Sequence, residues 1–183
     1  MNKLAGLLAV TGAFALTVPT TPAMATESYE ARVTASYASR AALDDMMMVF
    51  GTDHLKPGKY LWRDDADEIG GDNRVVISLE NQLAFLYRGD TLVAAASIST
   101  GREGRESPAG IFHVLLKKPM HHSKKYDNAP MPWMQMITDY GVALHAGANP
   151  GHPASHGCIR LPAKFAKKLY GATDVGTTVL IGA

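Results

Sequence analysis

The spacing of apolar positions divides this chain into an Ala-rich start, a β-rich body and one clearly periodic helix near the end. From Arg74 onward, short runs of β-favouring residues alternate with turn formers. Val75–Leu79, Leu83–Tyr87 and Leu92–Ser99 come first, with Gly89-Asp90 as the tight-turn dipeptide between the second and third. Gly110–Lys117, Val142–His145 and Thr177–Ile181 are the further predicted strands. The helix starts at Pro162, with Phe165 and Leu169 on one face, Lys164, Lys167 and Lys168 outward, and Gly171 closing it. Ser28–Phe50, which contains Met46, Met47 and Met48 and stops at Gly51, reads as a helix or a loose lead-in. Residues 52–73 read as loops around one extended piece, Lys59–Trp62. Many short strands with few helices predict a mostly β domain, a sandwich or partly open barrel, with one helix in the C-terminal half.

The first 25 residues change the domain count. Lys3, an apolar run from Leu4 to Val18 and Ala23-Met24-Ala25 form the pattern of a cleaved secretory signal. The run is interrupted by Thr11, Gly12 and Thr17 and followed by Pro19 and Pro22, so it is too broken for a membrane span of about 20 apolar residues. The predicted division is a signal at 1–25, a leader or linker at 26–57 and one folded domain at 58–183. Removing 25 of 183 residues leaves 158, enough for one domain with its own core, carrying 17 Lys and Arg against 17 Asp and Glu. That balance offers no clustered basic face for nucleic acid.

Chemistry concentrates at Ala154-Ser155-His156-Gly157-Cys158-Ile159-Arg160-Leu161, which holds the only cysteine. A single thiol in an exported chain has no intramolecular disulfide partner and is either a buried filler or a working group. His145, at the end of an apolar strand, lies across a Gly- and Pro-rich loop from Cys158. Folded back, it accepts the thiol proton to give an activated ion pair. Gly157 and Cys158 N–H groups are candidate oxyanion donors, worth about 3 kcal/mol each where such donors have been removed. Blander readings exist for the same residues: His145 as a half-buried backbone-bonded histidine, His152 as a turn residue, His121 and His122 as part of a solvated loop, Arg160 as a surface charge. His145, His152, His156 and Cys158 also form the donor set of a competing zinc site, although their spacing matches no common zinc pattern.

Ser155-His156-Gly157-Cys158-Ile159-Arg160-Leu161, with His145 upstream, resembles the signature of the L,D-transpeptidase catalytic domain, the YkuD-like family. The similarity runs from near Tyr60 to the C-terminus and takes in Ser99-Thr100-Gly101, Glu106-Ser107-Pro108-Ala109-Gly110 and Asn128-Ala129-Pro130-Met131-Pro132-Trp133. It implies an envelope enzyme on peptidoglycan stem peptides, inhibited by carbapenems and needing no metal or organic cofactor. Cys158 would displace a terminal D-alanine and pass the acyl group to a stem amine, a lipoprotein lysine, a D-amino acid or water. By the same resemblance, His145 is the base with its second ring nitrogen held by the Ala146 carbonyl, and His156 sits beside the oxyanion hole. Arg160 orients substrate, and His121–Met136 form a lid whose Tyr126, Met131 and Trp133 touch it. A wall-binding module that has lost the reaction is the non-enzymatic alternative.

Overall fold

The computed structural model describes residues 25–183. The predicted signal therefore lies outside the described residues except for Ala25. In chain order the elements are α1 (Tyr29–Phe50), β1 (Tyr60–Trp62), β2 (Asn73–Ser78), β3 (Leu83–Arg88), β4 (Thr91–Ser97), β5 (Gly110–His113), β6 (Leu116–His122), β7 (Pro130–Met136), β8 (Ala143–Ala146), β9 (Ile159–Leu161), α2 (Ala163–Ala172) and β10 (Thr178–Gly182). Ten strands form two sheets, in the orders β1-β4-β3-β2-β10-β5 and β6-β7-β8-β9. The expected mostly β sandwich is what forms, and the sheets do not close into a barrel. Isolated bridges Ser99–Arg160 and Gly101–Ser155 join them beside the Cys158 turn.

The six-stranded sheet is buried on both faces, which is why β2, β3 and β4 read as nearly continuous apolar runs rather than strict alternations. Val75, Ile77, Ala84, Leu86, Ala94 and Ala96 point into the main core with Phe165 and Leu169 of α2. Val76, Leu83, Phe85, Leu92 and Ala95 point the other way, against Ala42 and Met46 of α1. The segment read as helix or lead-in is thus a 22-residue helix that packs on the sheet's second apolar face. Ser28 caps it, its hydroxyl accepting the Ala31 N–H at 3.2 Å, and Gly51 ends it in a left-handed conformation with φ 70°.

Small residues let α1 approach closely. Ala31, Ala35, Ser39 and Ala42 make its buried stripe, and a Cβ on Gly182 of β10 would lie 2.4 Å from Ser39 Oγ and 2.5 Å from the Ala35 carbonyl oxygen. The Tyr87 hydroxyl donates to Asp45 at 2.6 Å, tying the same helix to β3. Tyr60 and Trp62 meet Phe165 at 5.9 Å between ring centroids, fixing the N-terminal part of α2 immediately after β9.

Candidate active site

β8 and β9 run parallel, with His145 opposite Arg160 and Leu144 opposite Ile159. Side chains two apart share a face, so Cys158 lies on the same side as Arg160 and therefore as His145. Strand spacing and rise put the Cys158 and His145 Cα atoms about 8 Å apart, a gap that an imidazole and a thiol span together. His145, Cys158, His156, Gly157, Arg160, Tyr126 and Met131 line one cleft of about 870 Å³.

Each of the two reactive groups has a defined partner. His145 is 7% exposed, and its Nδ1 lies 2.9 Å from the Ala146 carbonyl oxygen. A neutral ring must donate from Nδ1 to that oxygen, which leaves the lone pair on Nε2. Cys158 Sγ lies 3.8 Å from the Gly141 carbonyl oxygen and packs beside Met131, Met134, Met136 and Ala143. Burial pushes the Cys158 thiol up, against smaller opposing pulls from the Ala143 backbone and Arg160. Burial holds His145 below its ordinary value, with the Ala146 carbonyl opposing and Arg160 assisting. Both shifts disfavour the charged forms and favour a neutral thiol beside a neutral imidazole.

The turn before Cys158 is held by two serines that spacing alone did not single out. Ser155 Oγ accepts the Gly157 N–H at 3.1 Å and donates to the Cys158 carbonyl. Ser107, buried, accepts the Gly101 N–H at 2.9 Å and donates to the Gly157 carbonyl at 2.8 Å. The expectation that Gly157 N–H serves an oxyanion is therefore corrected, since Ser155 already occupies it. Gly157 is required for its φ of 110°, which turns the chain into Cys158. Their only sequence signal was membership of the quoted motifs.

Around the mouth, Tyr126 stacks on His156 with centroids 4.4 Å apart and planes 19° apart, and its hydroxyl accepts from Arg105 at 3.0 Å. Burial, then Arg102, Arg105 and Arg160, hold His156 below its ordinary value. Arg160 reaches past Gly147, where a Cβ would come within 3.0 Å of Arg160 Cγ. His121 belongs to β6 and lines the cleft, not a solvated loop; its neighbour His122 is exposed, and His152 is exposed with its Nδ1 on the Pro153 carbonyl.

Trp133 also departs from the expectation. Simple alternation from Met131 would place it in the cleft, but its φ of 57° breaks the alternation. It faces α2 instead, 5.6 Å from Tyr170 and 5.7 Å from Lys167 Nζ. The same kink returns Met134 to the cleft, so Met134 and Met136 line it where the sequence pointed to Trp133. Among the described residues no three His, Cys, Asp or Glu side chains gather as a metal site, so His145, His152, His156 and Cys158 are not a zinc ligand set.

No curated protein matches the chain in sequence. The fold is similar to that of solved L,D-transpeptidases. L,D-transpeptidase 1 of Mycobacterium tuberculosis is 22% identical, with 62% of this chain and 63% of that one covered and a TM-score of 0.55. The enzyme of Xylanimonas cellulosilytica is 26% identical over 61% of each chain, with a TM-score of 0.54. L,D-transpeptidase 3 of M. tuberculosis, solved with a faropenem-derived adduct, is 21% identical over 62% of this chain and 61% of that one, with a TM-score of 0.57. The chain thus spans about three fifths of the length of these relatives' solved chains. The sequence pattern of the YkuD family matches residues 72–181, from β2 through β10 and across the whole cleft, and the chain belongs to the L,D-transpeptidase catalytic domain family.

Proposed function

We propose that this protein is a peptidoglycan L,D-transpeptidase, a cysteine acyltransferase in which Cys158 is the nucleophile and His145 its base. One observation carries the reading: the lone thiol and an imidazole with Nε2 left unprotonated share a face of adjacent strands in a single cleft. Sulfur bonds to the carbonyl carbon at the L-centre of the stem's diamino acid while the thiol proton passes to His145 Nε2. The Cys158 N–H meets the oxyanion. Collapse breaks the amide, the imidazolium returns its proton to the departing D-alanine amine, and a thioester remains. A side-chain amine from a neighbouring stem then attacks, giving its proton to His145 and then to sulfur, and the two diamino acids are joined.

Water in the amine's place gives L,D-carboxypeptidase activity, and a D-amino acid or an envelope lipoprotein lysine gives exchange or attachment at the same site. Arg160, Tyr126 and Met131 orient the donor, a role supported by their place in the cleft wall. The faropenem-derived adduct on a similar protein supports acylation of Cys158 by carbapenems and related β-lactams. The Lys3, Leu4–Val18 and Ala23–Ala25 pattern supports export and work in the periplasm or cell envelope. Digestion of muropeptides with mature protein, followed by mass-spectrometric identification of products, tests the reading and the acceptor together. Directly cross-linked diamino acids and released D-alanine are expected with wild type and absent with Cys158→Ala; unchanged muropeptides with wild type would refute it.

A further inference from the structure

Without residues 1–25 the chain carries equal numbers of basic and acidic residues, yet the cleft is one-sided. Arg105, Lys124, Lys125 and Arg160 line it against one carboxylate, Glu106. That carboxylate accepts the Gly104 N–H at 2.7 Å and so faces its own turn. The ion pairs among the described residues use Asp53, Asp65, Asp67 and Asp90, and none involves these four cations. Arg105 is bound to a neutral partner, the Tyr126 hydroxyl. Lys125 Nζ lies 5.7 Å from the centre of the same ring, so the two side chains flank one point of the mouth, while Arg160 sits beside the reacting pair.

Like charges gathered around one cavity repel each other, and a ligand of opposite sign removes that repulsion while gaining attraction of its own. A neutral ligand does neither. The arrangement spans the cleft from its mouth to Cys158, so the matching ligand carries negative charge at more than one point along its length.

Resting on the transpeptidase reading, we propose that this cleft selects an acyl donor whose glutamyl and diamino-acid carboxyl groups are free carboxylates rather than carboxamides, with Lys124 and Lys125 as specificity-determining residues. Neither carboxyl takes part in bond breaking, so the contribution is made equally in ground and transition states and is read in KM rather than kcat.

The test uses two synthetic tetrapeptide donors, identical except that one has carboxylates and the other carboxamides at those two positions. Wild type turns over the carboxylate donor with kcat/KM about tenfold higher at about 0.02 M salt, the difference lying in KM. The preference falls below about twofold at about 0.5 M salt, where the Debye length is about 4 Å. It falls by the same extent in Lys124→Gln/Lys125→Gln, whose changed side chains are exposed. Equal turnover of both donors, faster turnover of the carboxamide, or a preference untouched by salt and by the double variant overturns the selectivity and leaves the transpeptidase reading standing. Turnover of neither donor overturns both.

Discussion

Replacing Ser107 with alanine removes one hydroxyl and leaves two backbone groups unpaired. The hydroxyl accepts from Gly101 N–H and donates to the Gly157 carbonyl, both in a buried setting where water does not substitute. Each unpaired buried group costs about 1–3 kcal/mol, so the pair costs about 2–6 kcal/mol, while deletion of one oxygen leaves no large void. For a domain of this size about 2–4 °C of Tm accompanies each kcal/mol, which predicts a fall of about 4–24 °C in a circular-dichroism melt. Freeing the Gly157 peptide also lets Cys158 wander from His145, and acylation by a carbapenem, followed by intact mass, slows by about 10–100-fold. A Tm within about 2 °C of wild type, together with unchanged acylation, refutes the bridge as a support of the nucleophile turn.

Three further outcomes follow from the same geometry. Because the Cys158 thiol is pushed up by burial, its alkylation by iodoacetamide keeps rising above pH about 9 and shows no thiolate plateau near neutrality. The unfolded thiol ionises first, so wild type also loses stability relative to Cys158→Ala as pH rises past about 8.5; a thiolate plateau between pH about 6 and 8 contradicts the neutral pair. Trp133→Ala lowers Tm by a few degrees through lost contact with Tyr170, and the KM for a tetrapeptide donor stays within about twofold, whereas a large KM rise would return Trp133 to the cleft. Gly182→Val forces a side chain into Ser39 and Ala35 of α1 and costs about 1–3 kcal/mol in a denaturant titration; no loss would mean that α1 does not pack on β10.

The body of the fold was legible because β2, β3, β4 and β10 are short, apolar and bounded by turn residues, and because α2 has Pro162, a clean apolar face and outward lysines. α1 was half legible: its buried stripe is Ala and Ser, which carry little apolar periodicity but permit close contact with Gly182. The clue to its role lay in the sheet, whose continuous apolar runs require cover on both sides. At the site, Cys158, His145 and Arg160 were legible as residue types near a glycine turn. Ser107 and Ser155 were not: Ser107 joins backbone groups of Gly101 and Gly157, far apart in the chain, and Ser155 ties the turn just ahead of it, which residue type alone does not mark. Trp133 misled because one left-handed residue within β7 reverses the faces of everything that follows. The burial that pushes the thiol up and holds the imidazole down was hidden too, because distant segments of the chain create it.

Trapping the acyl-enzyme tests the central claim most directly. Wild-type protein mixed with the stem tetrapeptide and quenched in acid, then measured by intact mass, is expected to gain one acyl fragment lacking D-alanine, mapped to Cys158, with almost none in His145→Ala. An unmodified thiol under conditions that release D-alanine, or an acyl group found on another residue, would contradict it.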